Sequence, residues 1–62
     1  MFTEQQLQNF KKYRKVQMSG LWNMFYPLAQ QATGLSDEEY VFVMENYTAL
    51  QITADLQQIE NE

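Results

Sequence analysis

Very few residues in this chain interrupt a helix, and this feature most limits the folds that it can adopt. Among the 62 residues, glycine occurs only at positions 20 and 34 and proline only at position 27. Glycine commonly ends a helix and proline is common in its first turn, whereas both destabilise a helix interior. The three breakers therefore divide the chain into helical segments without a linker or a repeat, and they predict an all-α fold.

A capping box indicates where the first helix begins. Thr3 is a favourable N-cap, and Gln6 stands three residues later, as the motif requires. Gly20 supplies the left-handed residue that ends many helices. We therefore predict a first helix over 4–18. Its apolar stripe at helical spacing is Leu7, Phe10, Tyr13 or Arg14, and Gln17 or Met18.

The next two helices are bounded by the remaining breakers and by a second capping box. Pro27 and Gly34 enclose a short helix over 27–33. Ser36 and Glu39 form the clearest cap in the chain, which predicts a third helix over 37–47. This helix is apolar over much of its circumference, so we expect it to be the central helix; its main stripe is Tyr40, Val43, Met44 and Tyr47.

The segment after Tyr47 has two interpretations, a continuation of the third helix or a separate one. Thr48 begins another potential capping box, and we favour a fourth helix, over 49–59, after a kink. The chain is thus expected to form a small bundle of three to four short helices. The last helix carries an apolar edge outside the central stripe, which is a candidate for self-association: Ile52, Leu56 and Ile59.

Length and composition predict one small domain, 1–62, that folds without covalent or metal crosslinks. The chain contains no Cys and no His, while 45% of its residues are apolar. A single core of this size provides only about 3–5 kcal/mol, so a partner or a second copy is a reasonable expectation, and we consider a homodimer. The chain has no signal peptide and no apolar run long enough to span a bilayer, so we expect a complete small gene product in the cytoplasm, without membrane contact.

The residue types needed for most catalysis are missing. Without His and Cys, no Ser-His or Cys-His pair can form, and the usual zinc ligands are absent. The acids of 37–39 are consecutive, so on a helix they point in different directions, and they are expected to stabilise the helix start. Neither glycine lies in a phosphate-binding loop. We therefore expect no enzyme, no cofactor and no metal site.

The charged residues are unevenly distributed. The net charge is −4, yet all four basic residues fall within 11–15. Lys11 and Lys15 share one helix face and could contact an acidic partner, although such a cluster is also typical of a solvated face. Phe10 and Tyr13 are interleaved with the cluster, as in some nucleic-acid-binding proteins, but a sequence pI of about 4.5 makes nucleic acid an unfavourable partner.

Residues 16–25, VQMSGLWNMF, form a motif with a known counterpart. Together with GLSDEEY at 34–40, they resemble small proteins of bacteriophages and prophages in which V-x-x-S-G-x-x-N-M-F follows a basic, tyrosine-containing helix. The resemblance covers roughly residues 10 to 47. It implies a viral protein that acts in the host cell cytoplasm, and it carries no established activity to this chain.

The aromatic segment after Gly20 has two interpretations. In the first, Asn23 turns the chain while Trp22, Met24 and Phe25 fill the core between the first and third helices. In the second, Trp22 and Tyr26 are partly exposed anchors for a protein partner, with Lys11 and Lys15 as further contacts, because amphipathic aromatics dominate binding hot spots.

Three functions follow from these observations. The first is a non-catalytic, phage-derived protein that binds another protein, such as a host factor. The second is a DNA-binding or DNA-mimicking regulator, with the first helix as the basic contact or the acids in place of phosphates. The third is a structural component that works as an oligomer.

Overall fold

Four helices form a small bundle, which confirms the predicted all-α fold. The computed structural model describes residues 2–60, with side chains described for residues 2–56. No strand occurs in this part of the chain. The helices are α1 (Glu4–Met18), α2 (Pro27–Thr33), α3 (Asp37–Glu45) and α4 (Tyr47–Glu60). The first two have their predicted bounds, and none of the described helices is long and apolar enough to cross a membrane.

The capping boxes predicted at Thr3 and Ser36 are present, whereas Thr48, the third candidate cap, lies inside α4. The hydroxyl of Thr3 accepts a hydrogen bond from the Gln6 amide at 3.1 Å, and the Thr3 amide donates to the Gln6 side chain at 2.8 Å. Ser36 and Glu39 exchange the same two bonds, at 3.2 and 2.9 Å. Each box satisfies backbone N–H groups that the first turn of a helix leaves unpaired. The start of α1 and of α3 is therefore determined by local chemistry.

A single residue, Asn46, separates α3 from α4. Its backbone leaves helical geometry, with φ −112° and ψ 18°. Its amide and its side-chain nitrogen both donate to the Phe42 carbonyl, at 3.0 and 2.9 Å, while its own carbonyl accepts from the Leu50 amide at 2.9 Å. Asparagine side chains compete in this way for backbone groups. The preferred prediction of a separate fourth helix is confirmed, but the break lies earlier than predicted, so α3 ends at Glu45 and α4 begins at Tyr47.

The first helix, rather than the third, is the central element. α1 packs against each of the other three helices, whereas α3 packs mainly against α1 and α4. The expectation of a central third helix is therefore wrong, because only one side of that helix is covered, and Val41 is exposed. The predicted stripe of α1 is buried at Leu7, Phe10 and Tyr13, but its end is not, because Met18 is exposed. The core consists of Leu7, Phe10, Tyr13, Met24, Ala29, Leu35, Tyr40, Val43 and Leu50.

Candidate protein-binding site

Large apolar side chains are exposed together where α1 ends and α2 begins. We call residues 18–28 the apolar loop. Phe25 is 82% exposed and Trp22, the single tryptophan, is 39% exposed. Single exposed apolar side chains are normal on a surface, but a concentrated group of them indicates a candidate interaction site. The exposed members are Met18, Leu21, Trp22, Phe25, Tyr26 and Leu28.

Hydrogen bonds and one buried side chain give the apolar loop a defined conformation. Gly20 has a φ of +73°, a left-handed conformation that side chains disfavour, and it lets the chain leave α1 sharply. The Asn23 side chain accepts from the Phe25 amide at 3.0 Å, which forms an Asx turn. Met24 is buried, and its carbonyl accepts a hydrogen bond from the Tyr40 hydroxyl at 2.5 Å. The turn is thereby attached to α3 while its neighbours face outward.

The structure divides the aromatic segment between the two predicted interpretations. The core interpretation is right for Met24 and wrong for Phe25, which is almost fully exposed. Asn23 turns the chain, as predicted. Trp22 and Tyr26 are both exposed, as an anchor for a partner must be. The Asx turn explains this division, because it buries one side chain and directs the flanking ones away from the bundle.

Lys11 and Lys15 are exposed on one face of α1. Met18 follows them at helical spacing, so the face leads into the apolar loop. Of the other two basic residues, Arg14 is half-buried and Lys12 is exposed. Arg14 donates to the Gln51 side chain at 2.5 Å, and the charge of Lys12 helps to lower the pKa of Glu39. Lys11 and Lys15 thus share one exposed face of α1 that another molecule can reach.

Phe10 and Tyr13, which are interleaved with the basic cluster in sequence, face the core. Phe10 is 1% exposed, and its ring lies 5.2 Å from that of Tyr47. The Tyr13 ring lies 5.2 Å from that of Tyr40. Neither ring can stack on a nucleic-acid base without unfolding α1. The aromatic part of the predicted nucleic-acid pattern is therefore structural.

The acidic residues at the start of α3 have structural partners. Glu39 accepts from the Ser36 amide in the capping box and from the side chain of the buried Asn9 at 3.2 Å. The Ser36 backbone and hydroxyl, and then Asn9 and Lys12, lower the pKa of this carboxyl. Asp37 accepts from Gln30 at 2.6 Å. No group of three or more potential metal-binding side chains occurs in the part of the chain that the structure describes.

The predicted self-association edge lies on the outer side of α4. Ile52 and Leu56 are 57% and 58% exposed, while Leu50 on the opposite side is fully buried. Ile59, the third member of this edge, lies outside the residues with described side chains. The two described members are therefore accessible to a second copy.

The sequence pattern did not predict the exposure of every residue of the apolar loop. It missed Met18, Leu21 and Leu28 as surface residues, and it favoured a buried Phe25. A usable signal was present, because apolar residues between Gly20 and Pro27 are dense but lack helical periodicity. Without a helix or strand to give them a common face, such side chains cannot all turn inward.

Comparison with protein-family models, curated proteins and solved structures finds no match to this chain. The resemblance to small phage and prophage proteins therefore stays a prediction from the motif at residues 16–25.

Proposed function

We propose that this protein is a non-catalytic, phage-derived binding protein that acts in the host cytoplasm and docks on another protein through the apolar loop. The observation that carries the proposal is an ordered turn that exposes large apolar side chains instead of burying them. Exposing such groups to water costs about 25 cal/mol for each Å². A partner that covers them recovers this free energy.

The chemistry of the apolar loop suits a protein partner. Trp22 and Tyr26 are amphipathic aromatics, the residue types that most often form binding hot spots. The Asx turn at Asn23 and the bond from Tyr40 to Met24 hold the turn before binding, so little conformational entropy is lost on docking. A preorganised apolar anchor is therefore available on the free protein.

Affinity capture from a bacterial host lysate tests this proposal. We expect the unchanged protein to retain a specific partner, and the Trp22→Ala/Tyr26→Ala double variant to lose it, because truncation of a hot-spot residue typically weakens binding about 30-fold or more. Val41→Ala is the control, since it removes an exposed apolar group outside both the loop and the edge of α4. Circular dichroism verifies that both variants stay folded. Equal capture by both variants would show that the loop is not the docking site.

Self-association through α4 is a second candidate, supported by the exposure of Ile52 and Leu56. Two such edges could pair between copies and cover each other, and folding would then be linked to concentration. Light scattering tests this directly. We expect a mass above the 7.4 kDa of one chain, reduced to one chain by Ile52→Ser/Leu56→Ser. A single-chain mass for the unchanged protein at micromolar concentration would exclude the dimer.

A DNA-binding or DNA-mimicking role receives less support than protein binding. Arg14 is hydrogen-bonded to Gln51, and Phe10 and Tyr13 are buried. The remaining lysines neutralise too few phosphates for strong binding in a chain of net charge −4.

A further inference from the structure

The two halves of the chain carry opposite charges, and the apolar loop belongs entirely to the basic half. No acidic residue occurs from Gln5 to Ser36, a stretch that contains all the basic residues. From Asp37 to the last residue, the chain is acidic and contains no Lys or Arg. The segment that contains the apolar loop therefore carries only positive charges. A partner that covers the loop lies beside these charges.

The charged and apolar parts of this surface lie in a line. Lys11, Lys15 and Met18 follow one another at helical spacing of i, i+4 and i+7, and all are exposed. At a rise of 1.5 Å for each residue, they span about 10 Å along α1, or two turns. After Met18 the chain turns at Gly20, and the next exposed apolar side chains are Leu21 and Trp22. We call this surface the basic-apolar stripe.

We propose that the basic-apolar stripe recognises an acidic amphipathic helix of a partner protein, with carboxylates opposite Lys11 and Lys15 and large apolar side chains against the apolar loop. This inference rests on the proposed function and specifies the chemistry of its partner. A helix suits the stripe because its i, i+4 and i+7 side chains match a straight surface of two turns. Opposite charges select the partner and accelerate the encounter.

An anionic bilayer is the other surface that presents negative charge beside an apolar phase. Each lysine near such a surface contributes only about 1 kcal/mol. The acidic half of the chain gives the protein a net charge of −4 and opposes the approach to anionic lipid. A partner helix carries its negative charge only where the lysines are, so it avoids this repulsion. The charge distribution thus favours protein over lipid.

Trp22 makes the test direct, because its emission reports contact with the apolar loop and no other tryptophan contributes. The probes are three synthetic helical peptides without tryptophan that share one Leu and Phe face and carry Glu, Gln or Lys on the rim. We expect the Glu peptide to shift Trp22 emission to the blue and to bind about tenfold more tightly than the Lys peptide at low salt. The preference should fall as salt is added.

Charge variants show which residues produce the preference for the Glu peptide. Lys11→Gln/Lys15→Gln should abolish the preference for the Glu peptide. Thr48→Glu/Ala49→Glu changes the net charge by the same amount on exposed positions of α4, and it should keep the preference. Equal binding of all three peptides, or no response of Trp22 to any of them, would overturn the acidic-helix inference. Loss of lysate capture in Trp22→Ala/Tyr26→Ala would still support the proposed function, so the two failures are distinguishable.

Two further measurements test whether another molecule binds the basic-apolar stripe instead. Vesicles of phosphatidylcholine with phosphatidylglycerol should leave Trp22 emission unchanged, and a blue shift there without a response to the Glu peptide would assign the stripe to lipid. The protein alone should give the same emission at all concentrations. A blue shift that grows with protein concentration would assign the stripe to a second copy. Either result would overturn the inference.

Discussion

Aromatic side chains are concentrated in two regions of this molecule, and their surroundings are opposite. The first region, which we call the aromatic cluster, joins α1 to α3 and α4. Its ring centroids lie 5.2 to 5.9 Å apart. Burial raises the pKa of Tyr13 and Tyr40, which reflects the apolar surroundings of their hydroxyl groups. The cluster consists of Phe10, Tyr13, Tyr40 and Tyr47.

The second region, the apolar loop, contains three aromatic residues, Trp22, Phe25 and Tyr26, and their rings are exposed. Both regions are apolar in sequence, so hydrophobicity does not separate them. The difference is periodicity. In the aromatic cluster, helical spacing gives each helix one face to bury, whereas the turn at Asn23 buries only Met24. Apolar content therefore predicts a core only where regular structure aligns the side chains.

Truncation of one phenylalanine in each region is the strongest test of this contrast. Phe10 is 1% exposed, so Phe10→Ala should cost about 3–5 kcal/mol, as much as the whole stability expected of so small a domain. Phe25→Ala should change the free energy of unfolding by less than about 0.5 kcal/mol. Urea unfolding followed by circular dichroism measures both. Similar costs for the two variants would contradict the assignment of Phe25 to the surface.

The bond between Tyr40 and the Met24 carbonyl links the two regions. Tyr40→Phe should lower the free energy of unfolding by about 1–2 kcal/mol, because a buried carbonyl loses its donor. It should also change Trp22 emission as the apolar loop loosens. Tyr47→Phe is the control, since it removes a similar bond, to Gln17, that does not touch the loop. An emission change in both variants would argue against a specific link.

The helix caps next to the two regions should also contribute different amounts to the free energy of unfolding. Ser36→Ala removes the capping hydroxyl of α3, which carries Tyr40 of the aromatic cluster, and should cost about 1 kcal/mol. Ser19→Ala, at the entrance to the apolar loop, removes an exposed bond to the Val16 carbonyl and should cost less than about 0.5 kcal/mol. Thermal melts of the two variants test this order, and a larger loss for Ser19→Ala would reverse it.

Acid should weaken the capping box at the start of α3, and we expect this to be the smallest of these effects. The pKa of Glu39 is lowered from its ordinary 4.5, chiefly by the Ser36 backbone. A lowered pKa means that the ionised form stabilises the fold, and this contribution is lost as pH falls through the folded-state pKa. Glu39→Gln keeps the acceptor but cannot ionise. The difference in stability between the unchanged protein and Glu39→Gln should therefore be constant above pH 4.5 and should narrow below it. Melting temperatures of both proteins, measured as pH is lowered, check this.

Much of the fold could be predicted because local signals encode it. The capping boxes at Thr3 and Ser36, together with the breakers at 20, 27 and 34, determine the bounds of α1 and α2 and the start of α3. The same is true of the stripe of α1 that begins at Leu7, because its period is that of a helix. These features depend on neighbours a few residues apart, so the sequence alone contained them.

Only the tertiary structure decided the rest. The break at Asn46 depends on whether one side chain takes a carbonyl that the helix also uses, a close competition that local sequence does not resolve. The central position of α1 depends on which helix faces are covered by others. The exposure of Trp22 and Phe25 depends on a turn held by a hydroxyl from α3, sixteen positions along the chain from Met24. Such contacts join distant parts of the sequence, so their outcome is decided by packing and not by local preference.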